Sequence, residues 1–199
     1  MSLKRAATCL KFPAVVTLIA FTLLACSDTT VATRSFEESR NFEIPGVPLN
    51  IPLTLEDIPV PVRLADQPGY KDGDFDFVTS VQVRELEFEI APESNDPAND
   101  AIEDGNLDSF EFVSSLNISL RAVVDGTETV VDVADLPAND PQIASNLTSL
   151  SMNVRDTDIR DLIEAPDGAE LLISISGTPP PDFVTVKANI RFRVGIGFR

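Results

Sequence analysis

The sequence predicts an all-β protein, an antiparallel β-sandwich that is immunoglobulin-like or similar. Three observations favour this fold class. Several segments alternate apolar and polar side chains with the period of two that a half-buried strand requires. Clusters of glycine, proline, asparagine and aspartate separate these segments, as turns do. Only one short segment, near residues 158–164, has helical spacing. Strands that are apolar on one face alone also disfavour a parallel sheet covered by helices.

The globular part is expected to begin at Phe42, with segments that are rich in proline. Apolar residues alternate through 51–55 and 58–62, but prolines interrupt both stretches. Because proline cannot donate to a hydrogen-bond ladder, these segments are predicted to be edge strands or irregular extended chain. Residues 81–90 form a clearer strand pattern. Its apolar parity changes at Arg84–Glu85, which predicts a β-bulge there.

The second half of the chain has the most regular pattern. Residues 92–109 are acidic and poor in apolar side chains, which predicts one long loop. Residues 110–124 then place apolar side chains at even positions. Asp125–Gly126 follows at once and predicts a two-residue β-hairpin. A further strand is predicted over residues 147–154, and another over 171–176.

The single predicted helix lies near residues 158–164. Asp156, Thr157 or Asp158 can cap its N-terminus, because a short side-chain oxygen can accept a hydrogen bond from the exposed backbone N–H groups of the first turn. Residues 166–168, Pro-Asp-Gly, are expected to end it.

The last predicted strand, 184–198, has the longest alternation, and its polar face carries a basic stripe. The stripe consists of Lys187, Arg191 and Arg193. One face of the 81–90 strand carries Glu85, Glu87 and Glu89 in the same way. The favoured interpretation is that the two strands are neighbours whose charges neutralise each other, at about 0.2–1 kcal/mol per pair. The alternatives are a stripe that receives an anionic group and a solvated face without specific pairs.

The first 24 residues have the character of a signal peptide. An apolar run, 12–24, contains no acidic residue and is too short to span about 30 Å of hydrocarbon. Three basic residues precede this run: Lys4, Arg5 and Lys11.

The apolar run ends in Leu23-Leu24-Ala25-Cys26, which resembles the lipobox of bacterial lipoproteins. The resemblance implies that Leu23 is the large apolar residue of the motif and that cleavage follows Ala25. It also implies that Cys26 is lipidated and becomes the new N-terminus. It covers residues 1–26 only. The alternative is an ordinary secretory signal that is cleaved after Ala32.

This interpretation divides the chain into three parts. Residues 1–25 are a signal peptide, 26–41 a flexible tether, and 42–199 a single sandwich domain that carries the acidic loop 92–109. In the family, an aspartate after the cysteine retains enterobacterial lipoproteins in the inner membrane. Ser27 stands at that position here, so the outer membrane is favoured.

Charge and composition exclude several classes of function. Cleavage removes three basic residues and leaves 12 basic against 32 acidic residues, a formal charge of −20. Such a surface repels nucleic acid and other polyanions, so no nucleic-acid partner is expected. Cys9 leaves with the signal peptide, and a lipidated Cys26 cannot pair, so no disulfide-linked partner is expected. The chain has no histidine and no catalytic signature, so we expect no enzyme.

Clustered aspartates are the only metal candidates, and calcium is the only cofactor considered. The first set is spaced two residues apart and the second lies in the acidic loop: Asp72, Asp74 and Asp76, then Asp96, Asp100 and Asp104. Ca²⁺ takes six to eight oxygen ligands, often including a bidentate glutamate at the twelfth loop position. Counted from Asp72, that position is Val83. A solubilising acidic surface is therefore the favoured interpretation.

Three functions remain open. The leading hypothesis is a membrane-anchored envelope lipoprotein that acts as a non-catalytic interaction or structural module, with other envelope proteins as potential partners. The second is a carrier of a lipid or other apolar ligand, because strands such as 184–198 would reach about 50 Å at 3.3 Å per residue, long enough for their inward side chains to line a cavity. The third is a Ca²⁺-dependent adhesion or glycan-binding domain.

Overall fold

The computed structural model describes residues 30–46, 53–73, 75–95, 109–143, 147–180 and 182–199. Within these residues, nine strands form two antiparallel sheets that share one buried apolar cluster. The predicted antiparallel β-sandwich is therefore confirmed.

Each sheet takes its strands from both ends of the chain. In spatial order, the four-stranded sheet contains β1 (Thr30–Ile44), β9 (Val184–Phe198), β3 (Phe77–Ile90) and β6 (Ser149–Ser151). The five-stranded sheet contains β2 (Leu53–Val62), β8 (Ala169–Gly177), β4 (Val113–Val124), β5 (Thr127–Leu136) and β7 (Asn153–Val154). One helix, α1 (Arg160–Ile163), and three 3-10 turns (Leu64–Asp66, Pro92–Asn95 and Phe110–Phe112) complete the described elements.

The order of pairing is that of a jelly roll. The strand β1 pairs with β9, β2 with β8, β3 with β6, and β4 with β5, so the chain forms one long antiparallel ribbon. Rolling the ribbon brings β9 against β3 and β8 against β4, which closes the two sheets. In an immunoglobulin sandwich the first two strands share a sheet. Here β1 and β2 lie in opposite sheets, so the protein is one of the similar sandwiches that the prediction included and does not have the immunoglobulin order.

The last strand lies at the centre of the four-stranded sheet, between β1 and β3. Its even positions from Val184 to Ile196 are buried, and the basic stripe faces outward as predicted. Side chains from both sheets meet these residues in one cluster, so the described interior is filled by protein side chains.

Two local predictions are confirmed by backbone geometry. Asp125 and Gly126 both have positive φ, at 50° and 76°. These values are those of a type I′ turn, whose twist matches that of the flanking strands. In β3 the register with β9 shifts between Val83 and Glu85, where the apolar parity changes. The extra residue turns the second half of β3 so that its apolar side chains still face the core.

The proline-rich segment also behaves as predicted. The strand β2 pairs only with β8 and lies at the edge of its sheet. Its register shifts between Leu55 and Ile58, where Asp57 has a φ of 56°. Pro59 and Pro61 follow this irregularity.

The flexible tether predicted for 26–41 is wrong from Thr30 onward. The strand β1 begins at Thr30 and pairs with β9 in register over all 15 residues. Polar side chains concealed its alternation, because Glu38 and Arg40 occupy inward positions between Phe36 and Phe42. The globular domain therefore starts twelve residues earlier than Phe42.

Other boundaries differ from the predicted ones. The strand expected over 147–154 divides at the buried Met152 into β6 and β7, which lie in different sheets. The helix is confirmed but shorter, and the Asp158 carboxylate accepts the backbone N–H of Arg160 at 3.1 Å.

The strand expected from residue 110 begins at Val113, after a 3-10 turn. A bulge lies between Val113 and Ser115, and the backbone of Phe112 and Ser114 lies close against Gly177.

Candidate functional site

The outward side of the four-stranded sheet carries the most organised set of polar side chains, which we call the charged face. It comprises Glu37 and Ser39 of β1, Lys187, Asn189 and Arg191 of β9, Glu85, Glu87 and Glu89 of β3, and Ser149 of β6. The alternation of each strand puts these residues outward, because their neighbours in the sequence fill the core. Cross-strand register then aligns them in rows.

Arg191 lies at the centre of one such row, between two carboxylates. Its Nη2 is 2.9 Å from Glu37 Oε1 and its Nη1 is 2.6 Å from Glu85 Oε2. The hydrogen bond to Glu37, and then the charge of Glu85, raise the pKa of Arg191 above its usual value. The prediction that the acidic and basic strands are neighbours is confirmed.

The next rows form a hydrogen-bond chain across three strands. The Ser39 hydroxyl donates to Asn189 Oδ1 at 2.8 Å, and Asn189 Nδ2 donates to Glu89 Oε2 at 2.9 Å. The same Glu89 oxygen is 3.7 Å from Lys187 Nζ. Two of the three residues of the predicted basic stripe are thus paired with acids, which disfavours their use as an anion receptor.

A shallow depression of about 340 Å³ lies over these rows. Glu87 lines it and accepts a hydrogen bond of 2.6 Å from the Ser149 hydroxyl. The depression offers both carboxylate acceptors and cationic or amide donors on rigid strands. Its chemistry therefore suits a polar partner that itself carries donors and acceptors, rather than an apolar ligand.

The third residue of the stripe, Arg193, is placed differently. It lies opposite Ser35 of β1 and Gln82 of β3, and it forms no ion pair with the described part of the chain. It is exposed, and the row that contains it has no carboxylate. Within the described residues, the stripe is therefore divided into two cations paired with acids, Lys187 and Arg191, and a third, Arg193, without an ion pair.

The predicted calcium residues are only partly within the described residues. Asp74, Asp96, Asp100 and Asp104 lie outside them. Asp72 and Asp76 are exposed, and the Asp76 carboxylate accepts the backbone N–H of Arg199. Among the described residues, no three acidic or thiol side chains are grouped as metal ligands. Calcium binding stays a prediction, and the lipobox residues Leu23, Leu24, Ala25 and Cys26 also lie outside the described residues.

An ion pair between a buried carboxylate and a half-buried guanidinium, on the inner side of β1, was missed by the sequence analysis. The Glu38 side chain is 4% exposed and its Oε1 lies 2.7 Å from Arg40 Nη2. The backbone N–H of Arg63 donates to the same carboxylate at 2.9 Å. The pair fills the inner side of an edge strand. Inward-pointing charges at such an edge oppose pairing with another chain. The signal in the sequence was that Phe36 and Phe42 share the same parity, which places Glu38 and Arg40 on the inward face of one strand.

Tyr70 forms a second polar contact with the core. Its hydroxyl donates to Glu164 Oε1 at 3.2 Å, and its ring packs edge-on against Phe36 at 5.7 Å. Burial, and then the nearby Glu164 charge, raise the pKa of Tyr70 well above its ordinary value of 10.0. The contact fastens the connection between β2 and β3 onto β1.

An open groove of about 730 Å³ lies along the edge between β1 and β2. Its apolar lining comes from Phe42, Ile58, Pro59 and Phe183, and Asn41, Glu43 and Thr185 add polar groups. The groove opens to solvent instead of entering the sandwich. It therefore differs from the internal chamber that the carrier hypothesis requires.

No helix in the described part of the chain is long and apolar enough to cross a membrane. No known protein family matches the sequence. No curated protein matches it either.

Solved structures with some likeness include two crystal structures of the BFDV capsid protein. The 60-mer form is 12% identical with a TM-score of 0.37, over 84% of this chain and 94% of the capsid chain. The decameric form is 10% identical with a TM-score of 0.35, over 84% and 99% of the two chains. Our assignment of the jelly roll rests on the strand order and register described above.

Proposed function

We propose that this chain is a membrane-anchored bacterial envelope lipoprotein whose jelly-roll sandwich acts as a non-catalytic interaction or structural module. The observation that carries the proposal is the lipobox-like Leu23-Leu24-Ala25-Cys26, preceded by a basic and then an apolar segment. Cys26 is the residue that would carry the lipid. The chain after it supplies the folded domain.

The start of the fold supports this assignment. Only three residues, Ser27 to Thr29, lie between Cys26 and the first residue of β1. An ordinary secretory cleavage after Ala32 would remove the first three residues of a strand that pairs along its whole length with β9. Cleavage before Cys26 leaves β1 intact, so the fold favours the lipoprotein alternative.

A non-catalytic role is supported by the chemistry of the charged face. The chain has no histidine, and the described cations Lys187 and Arg191 are engaged by carboxylates. Catalytic groups usually have perturbed pKa values inside a cleft. The charged face instead offers fixed hydrogen-bonding groups on an open sheet, which suits binding to a polar surface of another envelope protein.

Lipidation is tested by expressing the full chain in a bacterial host and determining the mass of its N-terminal peptide. We expect a diacylated or triacylated cysteine at position 26, and Cys26→Ser abolishes the modification. Cys9→Ser is the matched control, because Cys9 lies in the segment that is removed and its substitution leaves the mature mass unchanged. An unmodified chain cleaved after Ala32 would refute the proposal.

Localisation is tested on the same material by separating inner and outer membranes. Because Ser27 follows the cysteine, we expect the lipidated chain in the outer-membrane fraction. Ser27→Asp is the informative variant, since it introduces the retention signal of the enterobacterial family and should move the protein to the inner membrane. Equal distribution of both chains would contradict the outer-membrane assignment while leaving the lipid anchor in place.

A further inference from the structure

We propose that the end of the four-stranded sheet nearest Thr30 is a membrane-docking surface that lies against the anionic headgroups of the bilayer holding the lipid anchor. The proposal rests on the proposed lipidation of Cys26. It goes beyond anchoring, because it assigns one end of the domain to the bilayer and fixes the orientation of the charged face.

The distance between the lipid and the fold is the first argument. Cys26 and Thr30 are four residues apart, so their Cα atoms can be separated by at most about 14 Å. The 15 residues of β1 extend about 50 Å at 3.3 Å per residue. Ile44, at the far end of β1, is therefore beyond the reach of this link, whereas the end that contains Thr30 is held beside the membrane.

The side chains at this end differ from those of the charged face. The three outward rows nearest Thr30 contain no carboxylate: Val31, Gly197 and Phe77; then Thr33, Gly195 and Ser80; then Ser35, Arg193 and Gln82. We call these rows the docking end. The next row contains Arg191 with Glu37 and Glu85, where the acids begin. In a mature chain of charge −20, three successive outward rows without a carboxylate are a local exception.

Exposed apolar and cationic groups occur together at the docking end. Val31 is 59% exposed, although it is a large apolar residue. The guanidinium of Arg199 lies 5.3 Å from the centre of the Phe77 ring, and Arg193 has no carboxylate partner in its row. One acid, Asp76, borders the docking end: it precedes Phe77, and its carboxylate accepts the Arg199 backbone N–H.

This combination matches the chemistry of a bilayer surface. Apolar side chains enter the boundary between headgroups and acyl chains, and basic side chains are attracted to anionic lipids. The net charge of the domain repels the same lipids. The orientation with the docking end towards the membrane keeps the acids of the charged face away from the headgroups, and it presents that face laterally to a partner.

The test uses the full, lipidated protein in vesicles of phosphatidylcholine with or without phosphatidylglycerol. Val31→Cys carries an environment-sensitive fluorophore, and headgroup-level spin-labelled lipids quench it. The matched control is Glu43→Cys, on the same strand and the same outward face but at its other end. An introduced cysteine is the only free thiol, because Cys9 is removed and Cys26 is lipidated. We expect severalfold stronger quenching at position 31 than at position 43.

Charge variants test the electrostatic part. Replacing both Arg193 and Arg199 by glutamate should reduce the quenching at position 31 in phosphatidylglycerol vesicles towards the level at position 43. Arg155→Glu, beside the five-stranded sheet, changes one charge of the same sign and should leave it unchanged. High salt should act like the double substitution, because screening shortens the Debye length from about 10 Å at 0.1 M to about 3 Å at 1 M.

The outcomes separate the two proposals. If mass spectrometry confirms the lipid but positions 31 and 43 are quenched equally, docking is refuted and anchoring stands. If quenching at position 31 is strong but insensitive to both the arginine substitutions and salt, the electrostatic docking proposed here is refuted as well. If the chain carries no lipid, the anchor is refuted, and the docking proposal falls with it.

Discussion

The buried carboxylate of Glu38 provides the most direct test of the start of the fold. Glu38 Oε1 accepts Arg40 Nε at 2.8 Å and the backbone N–H of Arg63 at 2.9 Å. The contact with Arg63 exists only if β1 packs against the connection that follows β2. A flexible tether in this region would leave the same carboxylate in water, where its removal has no effect on stability.

Substitution of Glu38 by alanine should lower the free energy of unfolding by about 2–3 kcal/mol. The backbone N–H of Arg63 loses its buried acceptor, which costs about 1–3 kcal/mol. The Arg40 side chain is 36% exposed and can turn to water. The full 3–5 kcal/mol of a broken buried ion pair therefore does not apply. Glu38→Gln keeps an acceptor oxygen and should cost about 1 kcal/mol, because a neutral hydrogen bond replaces a charged one.

The measurement is urea unfolding of the full chain in mild detergent at neutral pH, followed by circular dichroism. In thermal unfolding of the same chain, a loss of 2–3 kcal/mol corresponds to a fall in Tm of about 5–10 °C for a domain of this size. The control is Glu43→Ala, which removes an exposed acid from the outward face of the same strand and should change stability by less than about 0.5 kcal/mol. If Glu38→Ala were as mild as Glu43→Ala, the packing of β1 described above would be refuted.

Three further predictions concern other contacts. Tyr70 is the only tyrosine of a chain without tryptophan. Its phenolate absorbance should appear only well above pH 10, because burial and the Glu164 charge raise its pKa. The free energy of unfolding should fall as pH rises above about 10, because Tyr70 then ionises in the unfolded chain but not in the folded one. Gly177→Ala should cost about 1–3 kcal/mol in urea unfolding, since the added Cβ overlaps the carbonyl oxygen of Phe112, just before β4. The largest cause of the lowered pKa of Asp132 is the hydrogen bond that the Ser119 hydroxyl donates to it. Ser119→Ala should therefore raise the pKa of Asp132 in an NMR titration. This contribution to stability is present at neutral pH and is lost as pH falls through the folded-state pKa of Asp132.

Each of these predictions has a clear contrary result. A phenolate signal that appears at the ordinary pKa in the folded protein would mean that Tyr70 is exposed. A Gly177→Ala chain as stable as the parent would contradict the close approach of the bulge in β4. An Asp132 titration that is unaffected by the loss of the Ser119 hydroxyl would remove that hydrogen bond as the cause of the lowered pKa.

Local sequence predicted the features that depend on neighbouring residues. The type I′ turn at Asp125–Gly126 needs only two residues that tolerate positive φ, and the bulge at Arg84–Glu85 is visible as a change of parity. Alternation also identified the inward and outward sides of β9. Opposite charges on β3 and β9 even indicated that these strands are neighbours. That inference was possible because complementary charge on two outward faces can be read from the sequence without knowing how the strands pair.

The candidate site was predictable only in part for the same reason. Lys187 and Arg191 were identified, but the serine and asparagine that complete the rows, Ser39 and Asn189, have no distinguishing sequence context. Arg193 was grouped with the other two cations, although register places it opposite Ser35 and Gln82, neither of which is a carboxylate. Only the pairing of distant strands decides which outward residue faces which.

What the sequence determined by itself is the fold class, the faces of its regular strands and the motif around Cys26, because turns, alternation and the signal segment are local patterns. The tertiary structure decided the jelly-roll order, the division of 147–154 between two sheets and the inclusion of Thr30–Ile44 as a strand. These depend on contacts between residues far apart in the chain. A period of two specifies the side on which a residue lies but never its partner. Burial of the Glu38 carboxylate becomes favourable only once Arg40 and the backbone N–H of Arg63, which follows β2, provide its hydrogen bonds.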